Sequence, residues 1–565
     1  MKKGWMNVSW SLFLLWMILL SCRENNTALT SENISVMNLK RGELIACGPP
    51  DQELGSLAFE TSCGGEDFNL AVKLLHSFEY DEAEKVFARI IDQNPDCAMA
   101  YWGVAMSNFH PLWTPPSEPE LKKGAKAIEI AQSIAGKSER EASYLAAIAS
   151  FYNNWERLDH RTRCLKFDKA MEKLYATYPS DKEAAIFYAL ALNAAADPAD
   201  KSFSKQKKAG SILNALYPKE PNHPGIVHYL IHTYDSPELA ELALPAARKY
   251  ASVAPSSAHA LHMPSHIFTR MGLWNECIQS NLASVSSAKC YAEAAGIKGH
   301  WDEELHGLDY LVYAYLQKGE NQLAKQQWDY LKTIREVQPM NFKVAYAFAA
   351  IPARYVLENK DWKEAANLPI QNAIIPWKDF QWQKAIVHFA RLLGSVHTDQ
   401  FDSAQAELKE LQRIHNRLLE QKDAYKANQV QIQIKAAEAW IQFKAGKKEE
   451  ALRLMREAAD LEDKTEKHPV TPGEVIPARE LLGDLLMQLN QPDKALEAYE
   501  MNLKKHPNRF NGLYGAGLAA EKAGNPQLAA AYYQQLTQVV DMANATRPEL
   551  KTVQLYLKKQ ANFSE

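Results

Sequence analysis

The chain has 565 residues, with 64 Lys and Arg against 68 Asp and Glu, and is 47% apolar and 10% aromatic. That length exceeds one compact core and suits several domains or one extended repeat array, and the apolar and aromatic content excludes a disordered chain. A net charge of -4 leaves no basic field for nucleic acid or an acidic membrane surface.

The chain opens on Lys2 and Lys3, an apolar run from Leu12 to Leu20, and Leu19-Leu20-Ser21-Cys22, which read as an export signal. The small residue before cysteine resembles the lipobox of bacterial lipoproteins, which implies that Cys22 is the lipidated first residue of the mature protein. The run is short for a membrane span, and no later stretch approaches 18 consecutive apolar residues. The expected location is the bacterial cell envelope, periplasmic or at the outer membrane, with the membrane reached through the lipid anchor only.

Residues 23–60 lack helical periodicity and read as a tether. From Phe68 the apolar spacing becomes helical, with Ala83 and Pro95 in the places of a repeat's small residue and closing proline. AMAYWGVAMSNFH opens a second unit, HPLWTPPSEPE is a proline-rich interruption, and Ser138 with Glu141 signals a capped helix start. Of the six cysteines after Cys22, Cys63 and Cys97 flank the first repeat, so a Cys63–Cys97 disulfide is the first choice in an oxidising compartment. Cys47 is the rival for either partner, and Cys277 reads as a buried core residue.

The region His223–His266 organises the chain. It holds HPGIVHYLIHTYD and APSSAHALHMPSHIF, in which His228 and His262 are 34 residues apart, as are His232 and His266. That offset is the length of the tetratricopeptide repeat (TPR), a helix-turn-helix unit. Ala209 and Ala243, and Pro221 and Pro255, keep the same spacing, so the register does not rest on histidine alone. With the small residue (Ala209, Ala243, Cys277) at position 20, the histidines fall at positions 5 and 9 of the first helix. Resemblance to the repeat family implies that these positions face a concave groove. The register adds Asp235 at position 12, His259 at position 2 and, in the next repeat, His306 and Asp309 at positions 2 and 5.

Histidines at i and i+4 place two imidazole nitrogens on one helical face, near enough to share a cation. The residues expected to hold a metal are His228, His232, His262, His266, His259, His306, Asp235 and Asp309, with Zn²⁺ first and Cu or Fe also suited to imidazole. A single histidine on an apolar face is more often a hydrogen-bonded core residue, but eight of the 16 histidines lie between His223 and His306. Pro264 falls inside the second pair and is expected to kink or restart the helix there. HYLIH has Tyr229 where a zincin protease carries glutamate, so that mechanism has no support, and a general base would have to be Asp235, Glu303, Glu304 or Asp309.

Beyond Cys277 the next position-20 residue is Ala324, 47 residues on, so about 13 residues are inserted around SAKCYAEAAGIKGHWDEE. Weaker helix pairs follow at 342–366, 382–418 and 431–460, and 461–474 reads as a break. In the last pair Gly483 and Gly517, Ala495 and Ala529, and Tyr499 and Tyr533 are again 34 apart, and the tail suits a capping helix.

FETSC, CAMAYWGVAM, HPGIVHYLIHTYD, APSSAHALHMPSHIFTRMGLW and ELHGLDYLVYAYLQKG together resemble a large group of exported bacterial TPR lipoproteins, over residues 59–320. The resemblance implies an all-α TPR-type helix-turn-helix solenoid, a right-handed superhelix, and export; it implies no reaction. The expected divisions are a signal peptide (1–21), a tether and N-terminal segment (22–64), a TPR solenoid with the histidine groove (65–335), divergent helical repeats (336–462), a linker (463–475), a TPR pair (476–545) and a capping helix (546–565). The leading expectation for function is a scaffold that binds a peptide or protein segment in the groove, with a transition metal contributing. The rivals are a metal-dependent, hydrolase-like enzyme that uses His228, His232, His262 and His266 around one ion, and a metal storage or delivery protein.

Overall fold

The computed structural model describes residues 1, 31–45, 47–48, 54–112, 115–370 and 374–562. Cys22 and the export signal lie outside the described residues. Among the described residues the chain is all-α apart from a two-residue parallel pairing of His300–Trp301 with Val337–Gln338. It forms two compact units, residues 1–43, 58–75 and 80–184 in the first, and 44–57, 76–79 and 185–565 in the second. No described helix is long and apolar enough to cross a membrane.

In the second unit consecutive helices pack as antiparallel hairpins, and the first helix of each repeat also packs on the first helix of the next. This stack runs from Asp302–Gln317 to Phe342–Glu358, Gln381–His397, Ala424–Lys444, Ala478–Gln488 and Phe510–Lys522. The fold is therefore a TPR-type helix-turn-helix solenoid. The register residue sits where the two helices of a hairpin touch, and only a small side chain fits there. Ala209, Ala243, Cys277, Ala324, Ala365, Ala404, Ala451, Ala495 and Ala529 are all 0% exposed.

The stack closes on itself, since Asp302–Gln317 also touches Phe510–Lys522. Arg509 donates to Tyr313 at 3.0 Å and to Glu358 at 2.6 Å, and the Phe510 amide donates to the Gln317 side chain at 3.0 Å. These groups are buried, and the guanidinium is balanced by Glu358 and Glu480 together. Such a network fixes one arrangement of repeats, because losing one partner would strand a buried charge.

The insert after Cys277 lengthens the second helix of its repeat, which runs Trp274–Ala294, and two expectations are revised. The tether is pinned to the fold at several of its described residues. Met37 and Leu39 are buried, Phe59 packs on Phe68, Trp102 and Tyr144, and the Ser56 amide donates to the Asn222 carbonyl at 2.9 Å. Apart from the short helix Ser31–Val36 its described residues are irregular, so its buried apolar residues follow no helical period. The stretch 463–475, expected as a linker, is helix-free after Asp463, but Lys467, Val470, Thr471 and Val475 in it are buried. Val470 accepts from Tyr310 at 3.3 Å, Gly473 accepts from Tyr346 at 3.3 Å, and Lys467 reaches Asp235 at 3.1 Å. This segment lies against the first helices, so the concave face expected to be open is occupied by the chain itself.

Cys63 is disulfide-bonded to Cys97, and Cys47 to Cys290. The second partner lies 243 residues from Cys47, beyond the pairings the spacing offered. Cys164 and Cys277 are free and buried.

Candidate metal centre

The first histidine helix spans Pro224–Tyr234 and begins correctly for its sequence: Pro224 at its first position lacks only an amide that has no intrahelical partner. Gly225 lets this helix approach the chain at His76, since a Cβ there would stand 2.5 Å from the His76 ring. That closeness lets His228 Nδ1–H donate to the His76 carbonyl at 2.6 Å.

The second histidine stretch is two helices, Ala258–His262 and Pro264–Met271, opened by the Ser257 hydroxyl, which accepts from the Ala260 amide at 3.0 Å. Pro264 breaks the amide ladder, as its missing N–H requires. Carbonyls around the break are met by serine hydroxyls: Ser265 donates to His262, Ser280 to Leu261 and Ser284 to Ala258. Met263 keeps right-handed helical angles, so the helical rotation continues across the break and the i, i+4 relation survives. The second stretch ends at Gly272, in the left-handed conformation that helix ends favour.

Six histidines gather into two adjoining triads. His228, His232 and His259 offer donor atoms within 4.8 Å of one another, and so do His262, His266 and His306. In the first triad His228 Nε2 is 2.9 Å from His232 Nε2 and 3.2 Å from His259 Nε2. In the second, His262 Nε2 is 3.1 Å from His266 Nε2, and the His262 and His306 rings are 4.1 Å apart. All are buried except His232, which is half-buried.

Hydrogen bonding sets the tautomers. His228 donates through Nδ1 to a carbonyl, so its Nε2 presents a lone pair to the triad. Asn281 spends its amide N–H on the Cys277 carbonyl at 2.7 Å and turns its oxygen to His262 Nδ1 at 2.6 Å. Asp235 accepts from His266 Nδ1 at 3.1 Å. His262 and His266 therefore both face the second triad with lone pairs.

Burial pushes all six rings below the ordinary histidine pKa, His228 to about 3, and the positive neighbours of His232, His259, His262 and His306 add to the fall. His266 is lowered by burial even with Asp235 beside it. Burial alone would raise Asp235, but Lys467 and Arg270, with His266, hold it well below the carboxylate range. Arg270 donates to Asp235 at 2.8 Å. Burial drops Lys467 to about 8 against the pull of Asp235.

Asp235 and Asp309 belong to neither triad. Asp235 supports His266 from behind, and Asp309 pairs with Arg354. The candidate bases Glu303 and Glu304 are engaged elsewhere, with Lys343 at 2.5 Å and with Tyr330 and His300 at 2.7 and 2.8 Å. Residues that motif reading missed complete the site. Phe78 lies over the first triad, 4.4 Å from the His228 ring and 5.6 Å from those of His232 and His259. Tyr310 lies against all three rings of the second. Asn281, Lys467 and the His76 carbonyl carried no sequence signal, since each arrives from a different element through tertiary packing.

Residues 480–539 match the tetratricopeptide repeat family. No curated protein matches the chain in sequence. Among solved structures it is similar to yeast Tom70, at 11% identity over 88% of this chain and 96% of that one, with a TM-score of 0.32. It is also similar to the human IFIT1 dimer with PPP-AAAA, at 11% identity, 82% and 94% coverage and a TM-score of 0.33. The Cut9–Hcn1 assembly of the APC/C aligns at 13% identity over 86% and 95%, with a TM-score of 0.26. The chain is a helical-repeat protein with TPR units.

Proposed function

We propose that this protein is an exported, lipid-anchored TPR scaffold built around a transition-metal centre, with the histidine triads holding the metal. The observation that carries this is the His262–His266 contact: two Nε2 lone pairs 3.1 Å apart, each fixed by an acceptor on the ring's other nitrogen. A proton on His266 would also bridge them. Arg270 and Lys467 already balance Asp235, however, leaving no carboxylate charge to hold an imidazolium. A cation between the rings satisfies both lone pairs, and 3.1 Å is close to the edge of about 3.3 Å expected for tetrahedral nitrogen ligands at roughly 2.0–2.1 Å from a metal. A backing carbonyl, amide oxygen and carboxylate are the usual supports of metal-binding histidines. Zn²⁺ is the first expectation, with Cu and Fe suited to the same donors.

The scaffold role rests on the repeat architecture. A peptide partner would dock outside the segment 463–475, which already occupies the concave face at the histidines. Export and lipidation at Cys22 rest on the sequence and agree with two disulfides, which persist in oxidising compartments. The test is elemental analysis of the soluble form that starts after Cys22, purified without a histidine tag, beside a His262→Ala/His266→Ala variant. Bound metal that is lost in the variant, with helical circular dichroism retained, supports the centre. Protein that takes up no Zn²⁺, Cu or Fe under any condition rejects it. Labelled-palmitate incorporation that depends on Cys22 tests the anchor.

One observation favours a metal-dependent enzyme as the second reading. A triad supplies three protein ligands and leaves a fourth position for water or substrate, the pattern of catalytic rather than structural sites. Turnover of ester, amide or phosphoester substrates, abolished by His232→Ala, would select it over the scaffold.

A further inference from the structure

The two triads are one site written twice. His228 and His232 occupy positions 5 and 9 of one first helix, and the third member, His259, is position 2 of the next. His262 and His266 occupy positions 5 and 9 of that next helix, and their third member, His306, is position 2 of the one after. Each site thus takes an i, i+4 pair from one repeat and closes it with a single histidine from the following repeat, although 13 extra residues intervene before His306.

The array stops at both ends for visible reasons. One repeat earlier, positions 5 and 9 are Ala194 and Pro198. One repeat later they are Asp309, which pairs with Arg354, and Tyr313, which accepts from Arg509. Two sites is the number that the repeat register allows.

In the first triad His228 Nε2 lies 2.9 and 3.2 Å from the other two Nε2 atoms, in the second His262 and His266 meet at 3.1 Å, and the three donor atoms of each triad lie within 4.8 Å of one another. Ring centre to ring centre, members of one triad lie 4.1 to 6.2 Å apart and His232 and His266, across the triads, 6.4 Å, so what separates the two sets is the convergence of their donor atoms. An ion seated in one triad has its three nitrogens there, and the other triad keeps its own converging set.

We infer that the protein binds two transition-metal ions, one in the triad His228, His232 and His259 and one in the triad His262, His266 and His306. The ligands are all imidazoles, and the carboxylate that backs His266, Asp235, is already matched by Arg270 and Lys467. Low-charge ions enter such a buried setting at least cost, which makes Cu⁺ the most informative probe and Zn²⁺ its divalent comparison.

This inference rests on the metal reading, and one titration separates the two. The metal-free soluble protein, with disulfides intact, is titrated with Cu⁺ under anaerobic conditions and separately with Zn²⁺, each against a chromophoric chelator. Two equivalents of at least one ion are expected. One equivalent of each overturns the two-ion inference and leaves the metal centre standing, whereas none of either overturns the metal centre as well. His259→Gln and His306→Gln, each a single change in a different triad, are expected to retain one equivalent apiece. Loss of both equivalents in either variant, with helical circular dichroism retained, would show a single shared site. Should a variant fail to fold, the wild-type stoichiometry still decides.

Discussion

His262 and His266 meet through their Nε2 atoms at 3.1 Å while their Nδ1 protons go in opposite directions, to the Asn281 side-chain oxygen and to Asp235. Helix geometry alone brings i, i+4 rings together, but it does not choose tautomers. The choice is made by residues on other elements, so each ring's readiness for a cation can be altered without touching a ligand.

Asn281 gives the sharpest such test. It is fully buried, and its oxygen is what points the His262 lone pair at the triad. Asn281→Leu keeps the volume but removes the acceptor, freeing His262 to take the other tautomer. Metal affinity should fall by about 10- to 100-fold, the usual cost of losing a histidine's backing partner. Asn281→Asp, which still accepts, should retain wild-type affinity or exceed it. Equal affinities for wild type and Asn281→Leu in a chelator competition would remove the tautomer argument.

The metal-free protein should lose stability as pH falls below 6.5. The triad rings are held neutral by burial, with the native pKa of His228 near 3, whereas the unfolded chain protonates at about 6.5. Between those values the unfolded state binds more protons than the native state, so stability rises with pH in this window and is lost on acidification. From pH 7.5 to pH 5 His228 alone accounts for roughly 2 kcal/mol, and the other five rings act in the same direction. Urea midpoints across that range measure it. A flat profile would mean that the rings are solvated in the native state.

The 34-residue offset made the equivalence of His228 with His262 and of His232 with His266 legible, because a repeat register fixes which side chains share a face. The small residues at position 20 were legible for the same reason, and all of them are buried. The grouping into triads was not. His259 joins the pair of the preceding repeat rather than the histidines beside it in sequence, a consequence of how neighbouring first helices overlap. The filled concave face was equally hidden. Lys467 and Asp235 are 232 residues apart, and their meeting depends on the closure of the helix stack, a sum of small rotations between repeats that no local pattern encodes.

Cysteine chemistry offers a test independent of metal. With Cys63 bonded to Cys97 and Cys47 to Cys290, the soluble form should show two thiols after unfolding without reductant, Cys164 and Cys277. Neither should react in the native state, since both are buried and burial raises each thiol to about 12. Cys290→Ser should cost about 2–5 kcal/mol, the range for removing a native disulfide. Peptide mapping under non-reducing conditions checks the pairing, and a Cys47–Cys63 or Cys47–Cys97 linkage would contradict it.

Lys467 joins the buried segment to the metal centre, and its removal should move stability and affinity in opposite directions. Its ammonium lies 3.1 Å from Asp235, whose other cationic partner, Arg270, is on the histidine helix itself. Lys467→Met leaves Asp235 with one partner fewer. The metal-free protein should be destabilised, by less than the 3–5 kcal/mol typical of breaking a buried pair outright, because Arg270 remains. The same change removes a positive charge near the triad and leaves the Asp235 behind His266 less neutralised, so a cation should bind more tightly by a few-fold or more. Urea unfolding of the metal-free form and chelator competition measure the two effects on one preparation. Weaker metal binding in a folded Lys467→Met protein would show that the lysine works mainly by pinning the 463–475 segment over the site. In that case the segment, rather than the charge on Asp235, is what sets the affinity of the centre.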